Sequence, residues 1–422
     1  MKISALACWL VLLASSSTTY ADFVMQPNDN LAIIGDSITE QHLYSAFIED
    51  YLLMCQPTPG LSVCQFGWGG EDAGACLARL PFDILPFKPT VVTTNYGCND
   101  GRWTNLTDEI ANTYRTNQTA IVETLKKAGV RVIVVGSPKP VDLYAYKGRN
   151  GADAVAYNKN LAALSAIAKD VATKENVLYA DVNGDITEAA AKAKTQYGSL
   201  DAMVGFDGIH PNSDGHLVIA YAFLKALGCD GNIGTITVDY SLKQAAGTPG
   251  QEVVSYQDGT VTVKSTRYPY CFAGSTDRAD GNSASMLRVL PFNEELNRYM
   301  LVAKNLNAPR AKVTWGGVTK EFRADQLAQG INLAAEFVQN NPFKPQFTAV
   351  DSAVHVQEDQ EQGLTRDLMF QVPRFRAFIS PGVDAAWDQI VAAGISQHQK
   401  LFNAAAALVI PVTHTIKIEP EP

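Results

Sequence analysis

Between residues 30 and 230 short apolar runs alternate with amphipathic stretches. Leu31–Ile34, Leu61–Phe66, Val91–Asn95, Val132–Gly136 and Val177–Asp181 are rich in Val and Ile and read as buried strands. The stretches Ile38–Met54, Asp108–Ala128 and Ala154–Ala172 between them read as helices. Such alternation predicts an α/β domain whose parallel sheet is covered on both faces. A site in such a sheet forms beyond the carboxyl ends of the strands.

The pattern changes near Ile233. Thr235–Asp239, Glu252–Ser255 and Thr260–Ser265 alternate as antiparallel strands do, and Val313–Trp315, Gly316-Gly317 and Val318–Phe322 predict a hairpin. Gln326–Gln339 and Asp384–Ala407 read as helices and Val409–Ile418 as a last strand. The chain therefore divides into a domain over 22–232 and a β-rich and helical region over 233–422, packed onto the first because no low-complexity linker separates them.

The first 21 residues carry Lys2, an apolar run Ala5–Ala14 and small residues before Asp22. That layout predicts a secretory signal peptide cleaved after Ala21; the run is too short to span a bilayer. The expected location is therefore secreted or periplasmic, with no membrane insertion after cleavage. Composition adds that 46% of residues are hydrophobic and 18% charged, as in a globular protein. A formal net charge of -9 argues against nucleic acid as a partner. Six cysteines follow the leader: Cys55, Cys64, Cys76, Cys98, Cys229 and Cys271. In an oxidising compartment they suggest disulfides, and chain proximity favours Cys55–Cys64, Cys76–Cys98 and Cys229–Cys271 among 15 possible pairings. No Cys-x-x-Cys pair or His cluster signals a metal.

Four segments carry candidate chemistry. Gly35-Asp36-Ser37 joins the first strand to a helix, which puts the Ser37 hydroxyl at a helix N-terminus where negative charge is favoured. Alone, this reads rather as an ordinary N-cap serine, since Ser is a preferred cap. Asp207-Gly208-Ile209-His210 offers a base for a hydroxyl and a carboxylate to orient it, although such a segment can also be a surface turn. Gly67-Trp68-Gly69-Gly70 and Gly97-Cys98-Asn99-Asp100 follow the second and third strands. With the N–H of Ser37, the Gly70 N–H and the Asn99 amide make three candidate oxyanion donors; turn geometry explains either segment taken singly.

In order and spacing these four blocks resemble the SGNH, or GDSL-type, hydrolases, over roughly residues 28 to 230. The resemblance implies a flavodoxin-like three-layer α/β/α fold with a five-stranded parallel sheet. It also implies Ser37 as nucleophile, His210 as base, Asp207 as its orienting acid, and Ser37, Gly70 and Asn99 as oxyanion hole. Two positions depart from the family pattern: Gln65 stands where Asn is frequent, and Cys98 where Thr is common. Val313–Gly316, Gly330–Phe337 and Asn341–Phe343 resemble the appended region of larger bacterial members. Trp68 and Trp103 adjoin two blocks and are candidates for stacking on a sugar, or for packing the loops.

The expected activity is hydrolysis of a small acyl ester, acetyl first, on a carbohydrate or polysaccharide, with no metal or organic cofactor. A lipase or lysophospholipase is the rival of the same fold, and an inactive carbohydrate-binding protein the rival of another class. A histidine base further predicts a rate that rises with pH through the ordinary imidazole range, about 6.5.

Overall fold

The computed structural model describes residues 22–197, 203, 205, 207–277, 281–371 and 383–422. The leader expected over 1–21 lies outside them. No helix among the described residues is long and apolar enough to cross a membrane.

Five parallel strands form the first sheet: β1 (Asn30–Gly35), β2 (Ser62–Gly67), β3 (Val91–Asn95), β4 (Val132–Gly136) and β5 (Leu178–Ala180), in the order β2-β1-β3-β4-β5. Alternate residues enter opposite cores, as the pleat demands: Leu31 and Ile33 face one, Ala32 and Ile34 the other. Helices Tyr44–Asp50, Val182–Tyr197 and Ser213–Ala226 cover the first face, and Ala73–Arg79, Asp108–Lys127 and Ala154–Lys174 the second. The predicted α/β/α domain is thus observed. The single expected helix Ile38–Met54 is instead broken at His42, whose φ is 54°. It becomes Ser37–Glu40, Tyr44–Asp50 and a widened turn Tyr51–Cys55.

Beyond residue 230 lie two further sheets. The first has the order β13-β10-β6-β7, built from β6 (Asn232–Asp239), β7 (Gln244–Gly247), β10 (Arg298–Lys304) and β13 (Ile331–Asn332). Its β6–β10 pair is parallel, which the alternation had not revealed. The second is antiparallel, β12-β11-β14-β9-β8, from β8 (Gln251–Gln257), β9 (Thr260–Ser265), β11 (Arg310–Trp315), β12 (Val318–Arg323) and β14 (Val412–Glu421). The expected hairpin is β11–β12. The single helix expected over Gln326–Gln339 is split: Ala324–Gln329 ends at Gly330, which turns the chain at φ 105°, and Asn332 caps a new short helix Leu333–Glu336. One apolar core runs from the first face of the parallel sheet into these sheets through Val261, Val313 and Trp315. Two long helices, Lys344–Gln362 and Val383–Ala407, pack beside the β2 edge of the parallel sheet.

The expected disulfides are absent: all six described cysteines are free thiols. The two core faces explain why. Cys55 and Cys98 belong to the first core, Cys64 and Cys76 to the second, so each of the first two expected pairs would have to cross the sheet.

Candidate active site

In the β1–β2 and β1–β3 registers Gly35 stands opposite Gly67 and Asn95, so the loops that follow three strands leave the sheet side by side. Their crowding requires glycine. A Cβ on Gly67 would lie 2.2 Å from the Glu40 backbone nitrogen. Ser37 opens helix Ser37–Glu40, and the carboxylate of Asp36 caps it by accepting from Ile38 N–H at 2.9 Å. Burial raises the Asp36 carboxyl to about 6.

His210 reaches this helix from 173 residues away: its Nε2 lies 2.8 Å from Ser37 Oγ. Its Nδ1 lies 2.6 Å from Asp207 Oδ2, while Asp207 Oδ1 accepts the N–H groups of Ile209 and His210 at 2.8 and 3.0 Å. Partial burial pushes the Asp207 carboxyl up, but the His210 backbone and ring and the Ile209 N–H outweigh it and hold it down at about 2. Asp207 is therefore an anion, and an Nδ1–H donated to it leaves Nε2 as the acceptor toward Ser37. The His210 and Asp207 side chains are 36% and 41% exposed, so the relay opens to solvent.

The loop carrying this pair is seated on residues 140–146. Gly208 O accepts from Asp142 N–H at 2.8 Å, and Gly208, at φ 73°, leaves no room for a side chain, since a Cβ would lie 2.2 Å from Tyr146 N. Behind it, Gln41 donates to Pro211 O at 3.2 Å and meets His216 Nε2 at 3.1 Å. His216 thus packs rather than titrates: burial lowers its imidazole to about 3.

Gly70 and Asn99 meet through one residue. Asn99 Nδ2 donates to Glu71 O at 2.8 Å, which uses one of the two amide hydrogens and fixes the other's direction. Gly70 is exposed at φ 77°, with open space where a Cβ would stand. Beneath them lies a network that sequence reasoning missed. Arg79, 1% exposed, donates to Glu71 through Nε (2.7 Å) and Nη2 (2.9 Å), and to Asp83 through Nη1 (2.7 Å). Tyr96 OH donates to Glu71 Oε2 at 2.6 Å. Only the Arg79–Asp83 spacing, one helical turn, hinted at it. Also missed was Lys139, whose buried ammonium donates to Pro140 O at 3.0 Å. Burial lowers its pKa, against the pull of Cys98, Asp36, Asp207 and Asp142.

The two departures from the family pattern are accounted for. Gln65 Oε1 accepts Gly67 N–H at 2.7 Å, and its longer side chain lets Nε2 reach His42 Nε2 at 2.9 Å. Cys98 is buried and its thiol is pushed up to about 12 by burial, while Tyr157 OH donates to its carbonyl. The candidate sugar platforms are both half-buried. Trp68 lies between the guanidiniums of Arg79 (5.3 Å) and Arg366 (5.1 Å), with the Phe370 ring 4.8 Å away. Trp103 stacks on Tyr157 at 5.0 Å, with Arg149 4.8 Å from its centroid.

Comparisons with known proteins bear on the family and the fold. Residues 33–218 match the model of the GDSL-like lipase/acylhydrolase family. An acetylxylan esterase of Geobacillus stearothermophilus is 25% identical over 225 residues, covering 47% of this chain and 94% of that protein. The whole structure resembles that of a gut microbial diltiazem-metabolizing enzyme, at 20% identity, 95% of this chain, 100% of that one and a TM-score of 0.72. The structure of an acetylxylan esterase from Geobacillus stearothermophilus covers 49% of this chain and 96% of its own, at 22% identity and a TM-score of 0.41. These matches support an SGNH, GDSL-like lipase/acylhydrolase domain over residues 33–218 and an ester hydrolase.

Proposed function

We propose that this protein removes a small acyl group, acetyl first, from a carbohydrate through an acyl-enzyme on Ser37. The observation that carries the reading is the open relay Ser37–His210–Asp207, with spacings of 2.8 and 2.6 Å, on the same rim as Gly70 and Asn99. Ser37 Oγ attacks the ester carbonyl as His210 Nε2 takes its proton, and the Asp207 anion stabilises the imidazolium. The N–H groups of Ser37 and Gly70 and the Asn99 amide receive the oxyanion, each donor contributing about 3–4 kcal/mol to the transition state. His210 returns the proton to the departing sugar hydroxyl. Water, activated by the same imidazole, then releases the acid.

The exposure of the His210 and Asp207 side chains supports a small acyl group on a polar carrier. Acetylated xylan, the polymer named for the G. stearothermophilus relative, is the first substrate to test. Acetate release from it, lost in Ser37→Ala, is the expected result. Activity confined to nitrophenyl esters of C8 or longer acids would favour the lipase reading. An absence of turnover on every ester would leave a binding protein. Export under a leader of residues 1–21 belongs to the same proposal, and a mature protein beginning at Asp22 is its expected sign.

A further inference from the structure

A second cluster of His, Cys and acid lies away from the rim, where the two long helices of the appended region meet the edge of the parallel sheet. Cys64 comes from β2, Glu361 from helix Lys344–Gln362 and His398 from helix Val383–Ala407. All three are buried, at 1%, 1% and 3% exposure. Cys64 Sγ, a Glu361 carboxylate oxygen and a His398 ring nitrogen lie within 4.8 Å of one another. We propose that these residues bind a structural zinc ion that staples the appended region to the hydrolase sheet.

Three observations point to a metal rather than a hydrogen-bonded knot. First, His398 Nδ1 is 2.9 Å from Glu361 Oε1, yet it makes no properly directed hydrogen bond and is buried without another partner. A buried ring nitrogen left without a hydrogen bond beside a carboxylate has a bonding capacity that a shared cation would take up. Second, the other faces of these ligands are already held. His398 Nε2 lies 3.4 Å from Ser62 Oγ, and Glu361 accepts Gln65 N–H at 2.8 Å and Gln357 Nε2 at 2.9 Å. Outer partners of this kind orient metal ligands. Third, the interior here is acidic. Glu49 and Glu358 are also fully buried, and the groups that reach them are the neutral Gln357 and Ser45. A thiolate, a carboxylate and a neutral imidazole balance one divalent cation.

The ligand set selects the ion. Sulfur, imidazole and carboxylate together suit zinc, with bonds of about 2.0–2.3 Å and four-coordinate geometry. Drawing in the ligand atoms by less than about 1 Å closes the site around such an ion. The Cys64 thiol proton leaves as the Zn–S bond forms. A cavity of about 90 Å³ lined by Gln360, Glu361, Leu364, Gly394, Gln397, His398 and Leu401 provides an approach and room for a water as fourth ligand. The ion takes no part in the ester chemistry, and this inference does not depend on the function proposed above.

Metal analysis of the full-length protein, purified without chelator and then challenged with Zn²⁺, tests it. About one tightly held zinc per chain is expected. Replacing it with Co²⁺ should give a near-ultraviolet thiolate-to-cobalt band that disappears in Cys64→Ser and weakens in His398→Asn. Circular dichroism checks that each variant is folded. Should a variant fail to fold, anomalous scattering at the zinc edge on wild-type crystals replaces it, with a peak expected between the three side chains. Wild-type protein that holds no zinc after the challenge, a metal signal unchanged in both folded variants, or an anomalous peak elsewhere overturns the proposal.

Discussion

Ser37–His210–Asp207 and Cys64–His398–Glu361 contain the same kinds of group, a hydroxyl or thiol, an imidazole and a carboxylate, in quite different surroundings. The first set lies beyond the strand ends, Ser37 opening a short helix and Asp207 and His210 on a loop, and over a third of its His and Asp side chains is exposed. The second is drawn into a triangle at a sheet edge and buried under two helices. Residue type does not decide between nucleophilic chemistry and structural ligation. Access and the surrounding partners do.

The largest effect expected from that contrast is on the rim. Ser37→Ala should lower kcat on an acetyl ester by about a millionfold with little change in KM. A loss below about tenfold would break the comparison, because the exposed hydroxyl would then not be the attacking group. Asp207→Asn should follow, at about ten-thousandfold in kcat, since the amide holds the imidazole in the wrong tautomer. Asn99→Ala sharpens the account of the rim: removing one donor should cost about a hundred- to a thousandfold in kcat while the melting temperature stays nearly unchanged.

Next comes a stability effect under the rim. Burial raises the Asp100 carboxyl to about 7, and its Oδ2 has no partner although Oδ1 accepts Ala73 N–H at 3.0 Å. The folded chain therefore holds a proton here that the unfolded chain has lost above about 4. This contribution is full at pH 4 and fades as pH rises through 7, by at most about 4 kcal/mol. Asp100→Asn should accordingly gain in melting temperature relative to wild type between pH 5 and 8.5; a difference constant with pH would contradict the buried charge. Smallest of all is Cys98→Ala. A buried thiol held protonated is no nucleophile, so turnover should change less than about threefold and resist alkylation.

Much of this was legible in the chain. Strands such as Val91–Asn95 announce themselves because a parallel strand is apolar on both faces. Ser37, Gly70 and Asn99 were legible because each follows such a strand, and Asp207 and His210 because of their spacing in one short segment. What stayed hidden is instructive. Helix Lys344–Gln362 buries Phe347, Val350 and Val354 but then Gln357, Glu358 and Glu361, so its inward stripe turns polar and the apolar period stops halfway. That same polar stretch meets β2 and carries the proposed metal ligand. The cysteine pairing misled because neighbours in sequence, such as Cys55 and Cys64, fall on opposite faces of one sheet. Arg79 and Lys139 were unreadable for a further reason: a buried charge leaves no mark on periodicity.

The account rests on the hydroxyl that the imidazole reaches across 173 residues. Treating the protein with a fluorophosphonate and mapping the modified peptide tests it directly. One adduct on Ser37, formed in step with loss of esterase activity and strongly slowed in His210→Asn, is the predicted result. Full inactivation with Ser37 unmodified, or an adduct forming at the same rate without the imidazole, would contradict it.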